Sequence, residues 1–168
     1  MKWFVNIIIL LTTCVLNAQP PELKLTPGGF DPVKVSIPQT PNEKLIELTR
    51  QWASEANRNY DVDITEVTGN SMTVSSLRNK GLYYRSKGET YRHKIRYEMR
   101  FSFSGDFYTV TFSVPEIYND DILLKYTLPD YFDSKGNIKE GYTDLKPSIE
   151  NTANTIVNSH YNFIVNFR

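Results

Sequence analysis

The sequence predicts an α+β domain of two layers, an antiparallel sheet with two helices on one face. Three observations lead there. Tyr91, His93, Ile95, Tyr97, Met99, Phe101 and Phe103 occupy every second position of one segment, with Arg92, Lys94, Arg96, Glu98, Arg100 and Ser102 in the gaps. That is the period of a long half-buried strand. A second alternating segment, Tyr108, Val110, Phe112 and Val114, follows the tight turn Ser104-Gly105-Asp106-Phe107. Two further segments repeat apolar residues at three- and four-residue steps, the helical period. The order is strand, helix, four strands, helix, which suits antiparallel strands with the helices packed on one side.

Each element has local support. Residues 19–32 hold Pro20, Pro21, Pro27, Gly28, Gly29 and Pro32 and read as an extended leader ahead of a single domain over 33–168. Val33-Lys34-Val35-Ser36-Ile37 alternates and is stopped by Pro38. Thr40-Pro41-Asn42-Glu43 reads as a helix start, with Thr40 as cap, Pro41 in the first turn and Glu43 closing a capping box. Leu45, Leu48, Trp52 and Ala56 then face one way, and the helix is expected to end near Asn57. Val62–Val67 and Ser71–Leu77 read as strands around a Gly69-Asn70 turn. Arg78–Glu89 reads as a loop with a short extended piece at Leu82-Tyr83-Tyr84.

The hairpin register follows from the pattern. With Gly105-Asp106 as a two-residue loop, Phe103 faces Tyr108, Phe101 faces Val110, Met99 faces Phe112 and Tyr97 faces Val114. A slip of one residue would oppose apolar to polar throughout. Residues 33–114 carry the clearest pattern. Residues 115–147 read as an acidic connecting segment, parts of which pack through Tyr118, Leu124, Tyr131 and Phe132. Residues 148–168 form the last helix, opened by Lys146-Pro147-Ser148, with Ile149, Ala153, Ile156, Val157, His160 and Ile164 inward and the asparagines outward.

The N-terminus speaks to compartment. Lys2 precedes an apolar run from Trp3 to Leu16, and Ala18 stands before Gln19 and two prolines. This is the layout of a signal peptide cleaved near Ala18, too short to span a bilayer comfortably. The expected location is secreted or periplasmic, with no transmembrane span in the mature chain. Cys14, the only cysteine, lies inside that run. Leu11-Thr12-Thr13 is a poor lead-in for lipidation at Cys14, so the mature chain is expected to lack thiol, disulfide and thiolate metal chemistry.

Charge is balanced overall, 19 basic against 19 acidic residues, so no global field favours nucleic acid. Locally it is not. Arg78–Arg100 carries eight Lys or Arg and two acids, and Glu116–Asp144 carries seven acids and three lysines. The two stretches are expected to complement one another on neighbouring surfaces.

From Phe30 to about Val114 the chain resembles domain-of-unknown-function family 4468, whose fold is like that of the TATA-binding protein. The residues that carry the resemblance are Pro32-Val33-Lys34-Val35-Ser36-Ile37-Pro38, Glu47-Leu48-Thr49-Arg50-Gln51-Trp52 and the alternating hairpin. Ile46 stands where that family often has Tyr. The resemblance implies a curved antiparallel sheet with helices on one face and export into a Gram-negative envelope. It brings no catalytic residues and no cofactor, and a fold by itself assigns no function.

No G-x-S-x-G elbow, H-E-x-x-H helix or phosphate-binding glycine loop occurs. His93 and His160 fall on apolar faces and read as packed, hydrogen-bonded side chains. Asp61, Asp63 and Glu66 could supply an acid/base pair but read as solvated acids at a strand entrance. Asp133-Ser134-Lys135-Gly136-Asn137-Ile138 has part of a calcium-loop pattern, yet Tyr131, Lys135 and Tyr142 fall on ligand positions, so it reads as a glycine turn. The remaining feature is the basic strand face, Arg92, Lys94, Arg96 and Arg100. Arginine forks there suit an anionic glycan, a lipid head group or an acidic envelope protein. The expectation is an exported, non-catalytic binding or structural module with no metal or cofactor. The alternatives are a small hydrolase using Asp/Glu or His93, and an accessory subunit of an envelope assembly.

Overall fold

The structure is a computed structural model and describes residues 19–167. The expected signal peptide, its cleavage at Ala18 and Cys14 lie outside the described residues. Strands β1 (Leu25–Thr26), β2 (Gly29–Phe30) and β3 (Val33–Ser36) lead into helix α1 (Asn42–Ala56). Strands β4 (Val62–Thr65), β5 (Ser71–Ser86), β6 (Glu89–Phe103), β7 (Phe107–Asn119) and β8 (Ile122–Leu123) follow. A single 3-10 turn at Leu128–Tyr131 precedes helix α2 (Leu145–Phe167). The main sheet has the order β3-β7-β6-β5-β4 with β8 on β7, and all its pairs are antiparallel. Both helices lie on one face, so the α+β two-layer architecture is present.

The long hairpin carries the core. Phe103 pairs with Tyr108, Phe101 with Val110 and Met99 with Phe112, as the alternation predicts. The fourth expected pair, Tyr97 with Val114, is replaced by a bulge. Glu98 pairs with Ser113 and Arg96 with Glu116, so Val114 and Pro115 together oppose Tyr97. Pro115 has no N–H to donate, and a bulge is where a strand tolerates that. Tyr97 and Val114 stay buried on the helix side all the same.

Five further expectations are corrected. The segment 19–32 is not a free leader. Leu23, Leu25 and Phe30 are buried, and the Phe30 ring meets Phe112 edge-on at 5.5 Å. The asparagine side of α2 is not wholly solvent: Asn154 Oδ1 accepts from Leu23 N–H at 2.8 Å, Asn154 Nδ2 donates to Leu23 C=O at 3.1 Å, and Glu150 accepts from Leu25 N–H at 2.8 Å. The helix thus offers the incoming strand what a neighbouring strand would. At the start of α1, Thr40 donates its hydroxyl proton to Pro38 C=O at 2.8 Å, Pro41 is the cap residue, and no side chain caps the helix. The stretch 115–147 is not simply a connector. Its first residues extend β7, and Phe132 bridges Ile138 around the Gly136 turn.

The fifth correction concerns Arg78–Glu89, expected as a loop. It is the second half of β5, reached through a register shift between Arg78 and Leu82. Gly81 makes the shift possible. A Cβ there would stand 2.5 Å from Ile95 Cγ1 and 2.7 Å from its Cδ1, and Ile95 is fully buried. Gly81→Ala is expected to cost about 1–3 kcal/mol through overpacking, measured by urea unfolding. Gly69→Ala, with nothing within 4 Å of the new carbon, serves as the control and should change stability little. Beyond β4, the edge of β5 is covered by Thr143, which bridges Arg85, and by Ser148, whose hydroxyl accepts from Tyr83 N–H at 3.0 Å and donates to Tyr83 C=O at 2.8 Å. An edge so occupied is closed to further strand pairing.

Candidate functional site

Alternation along β6 puts Arg92, Lys94, Arg96 and Arg100 on the sheet face away from the helices. The structure brings them together there and then pairs three of them internally. Lys94 Nζ meets Asp121 at 2.5 Å. Arg96 meets Glu116 at 2.7 Å and Asp63 at 3.6 Å. Arg100 meets Glu66 at 3.3 Å and Glu98 at 3.6 Å. Arg92 is exposed and has no ion pair among the described residues. Glu116 and Asp121 come from the acidic stretch, as does Asp144 on Arg85 at 2.6 Å, so the expected complementarity of the two stretches is present.

The carboxylates respond to these partners. The Tyr118 hydroxyl and then the Arg96 guanidinium hold the Glu116 carboxyl below its usual range. The hydrogen bond and charge of Lys94 do the same for Asp121. A basic face neutralised by its own chain must give up these pairs before it can hold an external anion. The face is largely self-paired, because Glu116 of β7, Asp121 just past its end, Asp63 of β4 and Glu66 just past it come within reach of the β6 cations.

The expected acid/base candidates part company. Asp61 is exposed, Asp63 and Glu66 each lie beside an arginine with much of the carboxylate still wet, and Glu66 also accepts from the Thr73 hydroxyl at 2.8 Å. Asp133 Oδ1 accepts from the backbone N–H groups of Lys135 and Asn137 at 2.8 and 2.9 Å, closing the glycine turn. No group of three or more metal-ligating side chains occurs among the described residues.

His160 is enclosed. Its ring lies 4.4 Å from Phe101, 5.0 Å from Trp52 and 5.0 Å from Tyr108, centroid to centroid. The Thr49 hydroxyl spends its single proton on Leu45 C=O at 2.7 Å, so its oxygen accepts from His160 Nε2–H at 3.0 Å. Nδ1 is then the bare nitrogen, and it accepts from the Tyr108 hydroxyl at 3.1 Å. Every polar atom of this triad is satisfied with the imidazole neutral. Burial pushes its pKa down to about 3.

His93 differs. Nδ1–H donates to Tyr118 C=O at 3.3 Å, and the ring stacks on Tyr84 at 5.5 Å. Nε2 is buried without a hydrogen-bond partner. Burial lowers the pKa, opposed by the Tyr118 carbonyl and by Asp120. A groove of about 390 Å3 runs past His93, Arg92, Lys94, Asp120 and Asp121. It meets the residue but not a reachable nitrogen, since Nδ1 is engaged and Nε2 has no solvent-exposed surface. Arg78, which the sequence places in a loop, lies in β5 opposite buried Ile95 and so emerges on the helix side.

A solved structure of a DUF4468 family protein from Bacteroides ovatus ATCC 8483 superposes on this chain with a TM-score of 0.54 at 12% identity, covering 80% of this chain and 82% of that one. The chain has the fold of that DUF4468 protein. The structural likeness agrees in fold with what the resemblance carried by residues 30–114 implies. At this identity the DUF4468 likeness is one of fold alone. A TBP-like protein from Parabacteroides distasonis ATCC 8503 also aligns, with a TM-score of 0.44 at 19% identity over 75% of this chain and 81% of that one. No protein-family model matches the chain, and no curated protein matches it in sequence.

Proposed function

We propose that this DUF4468-like protein is an exported, non-catalytic binding or structural module of the bacterial envelope. The observation that supports it most is that neither imidazole can reach a substrate. His160 is locked between Thr49 and Tyr108, and His93 offers no accessible nitrogen. A histidine acting as general base must be free to reach substrate. The apolar run after Lys2 supports export. Among the described residues no helix is long and apolar enough to cross a membrane.

Expression of the full chain in a Gram-negative host tests the reading. The expected product has its N-terminus at Gln19 and fractionates with periplasm or envelope. A cytosolic product retaining Met1 would overturn export. Recovery as a lipid-modified chain beginning at Cys14 would replace the soluble form with an anchored one. Self-pairing of the sheet face ranks a protein partner above a glycan or lipid head group. Retention of an envelope partner by the R92Q/R96Q/R100Q variant is the matching result, and salt-sensitive loss of it would restore the basic face.

A further inference from the structure

We infer that the space between the last turn of α1 and the middle of α2 is a binding site for a small aliphatic carboxylate of about four carbons. The observations are a half-enclosed cavity, a cation without a partner at its side, and an apolar wall. The cavity measures about 150 Å3 and is bordered by Trp52, Ala56, Arg78, Tyr97, Ile156 and Ser159.

Arg78 supplies the charge. It pairs in register with Ile95 just before β5 shifts, so its side chain leaves the sheet on the helix side. Arg85, Arg96 and Arg100 each meet a carboxylate. Arg78 meets none among the described residues. Its guanidinium is a planar fork suited to two carboxylate oxygens.

The polar groups around it are partly used and partly free. Tyr97 donates its hydroxyl proton to Asn57 Oδ1 at 2.8 Å, and Asn57 Nδ2 donates to Ala53 C=O at 2.9 Å. These bonds hold the floor rigid. Ser159 accepts from Trp52 Nε1–H at 3.1 Å, which leaves its own hydroxyl proton to donate to an incoming oxygen. Ile156, Ala56 and the Trp52 ring make the opposite wall. A neutral polar solute gains little there, and an amine is repelled by Arg78.

Size sets the rest. A dry cavity of about 150 Å3 holds a molecule of about six heavy atoms such as benzene. Butanoate has that many, with a carboxylate for the guanidinium fork and three alkyl carbons for the apolar wall. This site stands apart from the envelope reading. Loss of butanoate binding leaves export untouched, and a cytosolic location leaves the cavity untouched.

Titration of the full chain with sodium butanoate, followed by NMR at the Trp52 indole N–H, tests it. The expected result is a saturable shift, at least tenfold weaker with acetate, which lacks two methylenes, and absent with butylamine. Arg78→Gln is expected to weaken butanoate binding at least tenfold. Arg78 is exposed and unpaired, so this variant should fold. Ala56→Leu, which fills the space and keeps the charge, should weaken it as well. An equal response to butylamine, an unchanged affinity in R78Q, or no saturable shift with butanoate would each overturn the proposal.

Discussion

Trp52→Ala is expected to destabilise the protein by about 3–5 kcal/mol, the usual cost of removing a buried tryptophan. Trp52 is 2% exposed and is the piece that joins the two helices. Its indole meets His160 edge-on at 5.0 Å and donates to Ser159 at 3.1 Å, both on α2. Removal leaves a cavity at the α1–α2 contact and takes away the donor that Ser159 accepts. A domain of this size has about 5–15 kcal/mol of stability in all, so the variant should unfold at about a fifth or more less urea than the parent. Trp52→Phe keeps most of the volume and loses the N–H. It is expected to recover the larger part of the stability, which separates packing from the hydrogen bond. A W52A midpoint within error of the parent would mean the helices do not pack as described.

Stability is expected to fall steadily as pH drops below about 6.5, and His160 is the principal cause. Its pKa lies near 6.5 in an unfolded chain and is pushed down to about 3 in the fold by burial. The unfolded state therefore binds a proton that the folded state refuses. Stability is complete above the unfolded value and is lost progressively as pH falls toward the folded one. The slope approaches about 1.4 kcal/mol per pH unit, so roughly 3 kcal/mol should be gone by pH 4. His93, also lowered, adds to the loss from the same starting point, and Glu116 and Asp121 add to it at the lower end. His160→Gln has no titrating group but can still donate to Thr49 and accept from Tyr108. It is expected to be less stable than the parent at pH 8, with a much flatter profile between pH 6.5 and 4. Parallel pH profiles for the two proteins would show that His160 is not the responsible group.

Much of the fold was legible because the pattern was local and long. The alternation from Tyr91 to Phe103 and from Tyr108 to Val114 defines which side of the hairpin is buried, and a turn of two residues then leaves one register that matches apolar to apolar. The bulge at Val114-Pro115 was hidden because a proline reads as the end of a strand, and only the placement of β6 shows that β7 continues beyond it. The packing of 19–32 was obscured for a similar reason. Leu23 and Leu25 make too short a period to stand out among prolines, and their backbone partners, Asn154 and Glu150, lie more than a hundred residues away. The second half of β5 was masked by Gly81, which reads as a break and serves as a close approach. For the site, alternation correctly placed Arg92, Lys94, Arg96 and Arg100 on one wet face. It carried no information on whether carboxylates stood opposite.

By itself, then, the amino-acid order determined the two-layer class, the buried side of the central ribbon and the turn at Gly105, because burial periodicity is a property of neighbouring residues. Only the tertiary structure decided which acid meets which cation of the basic face, that His160 is neutral and enclosed, and that Arg78 stands without a carboxylate beside a cavity. Those outcomes depend on distances between segments far apart in the chain. Charge, protonation and ligand access follow such distances, and no local pattern encodes them.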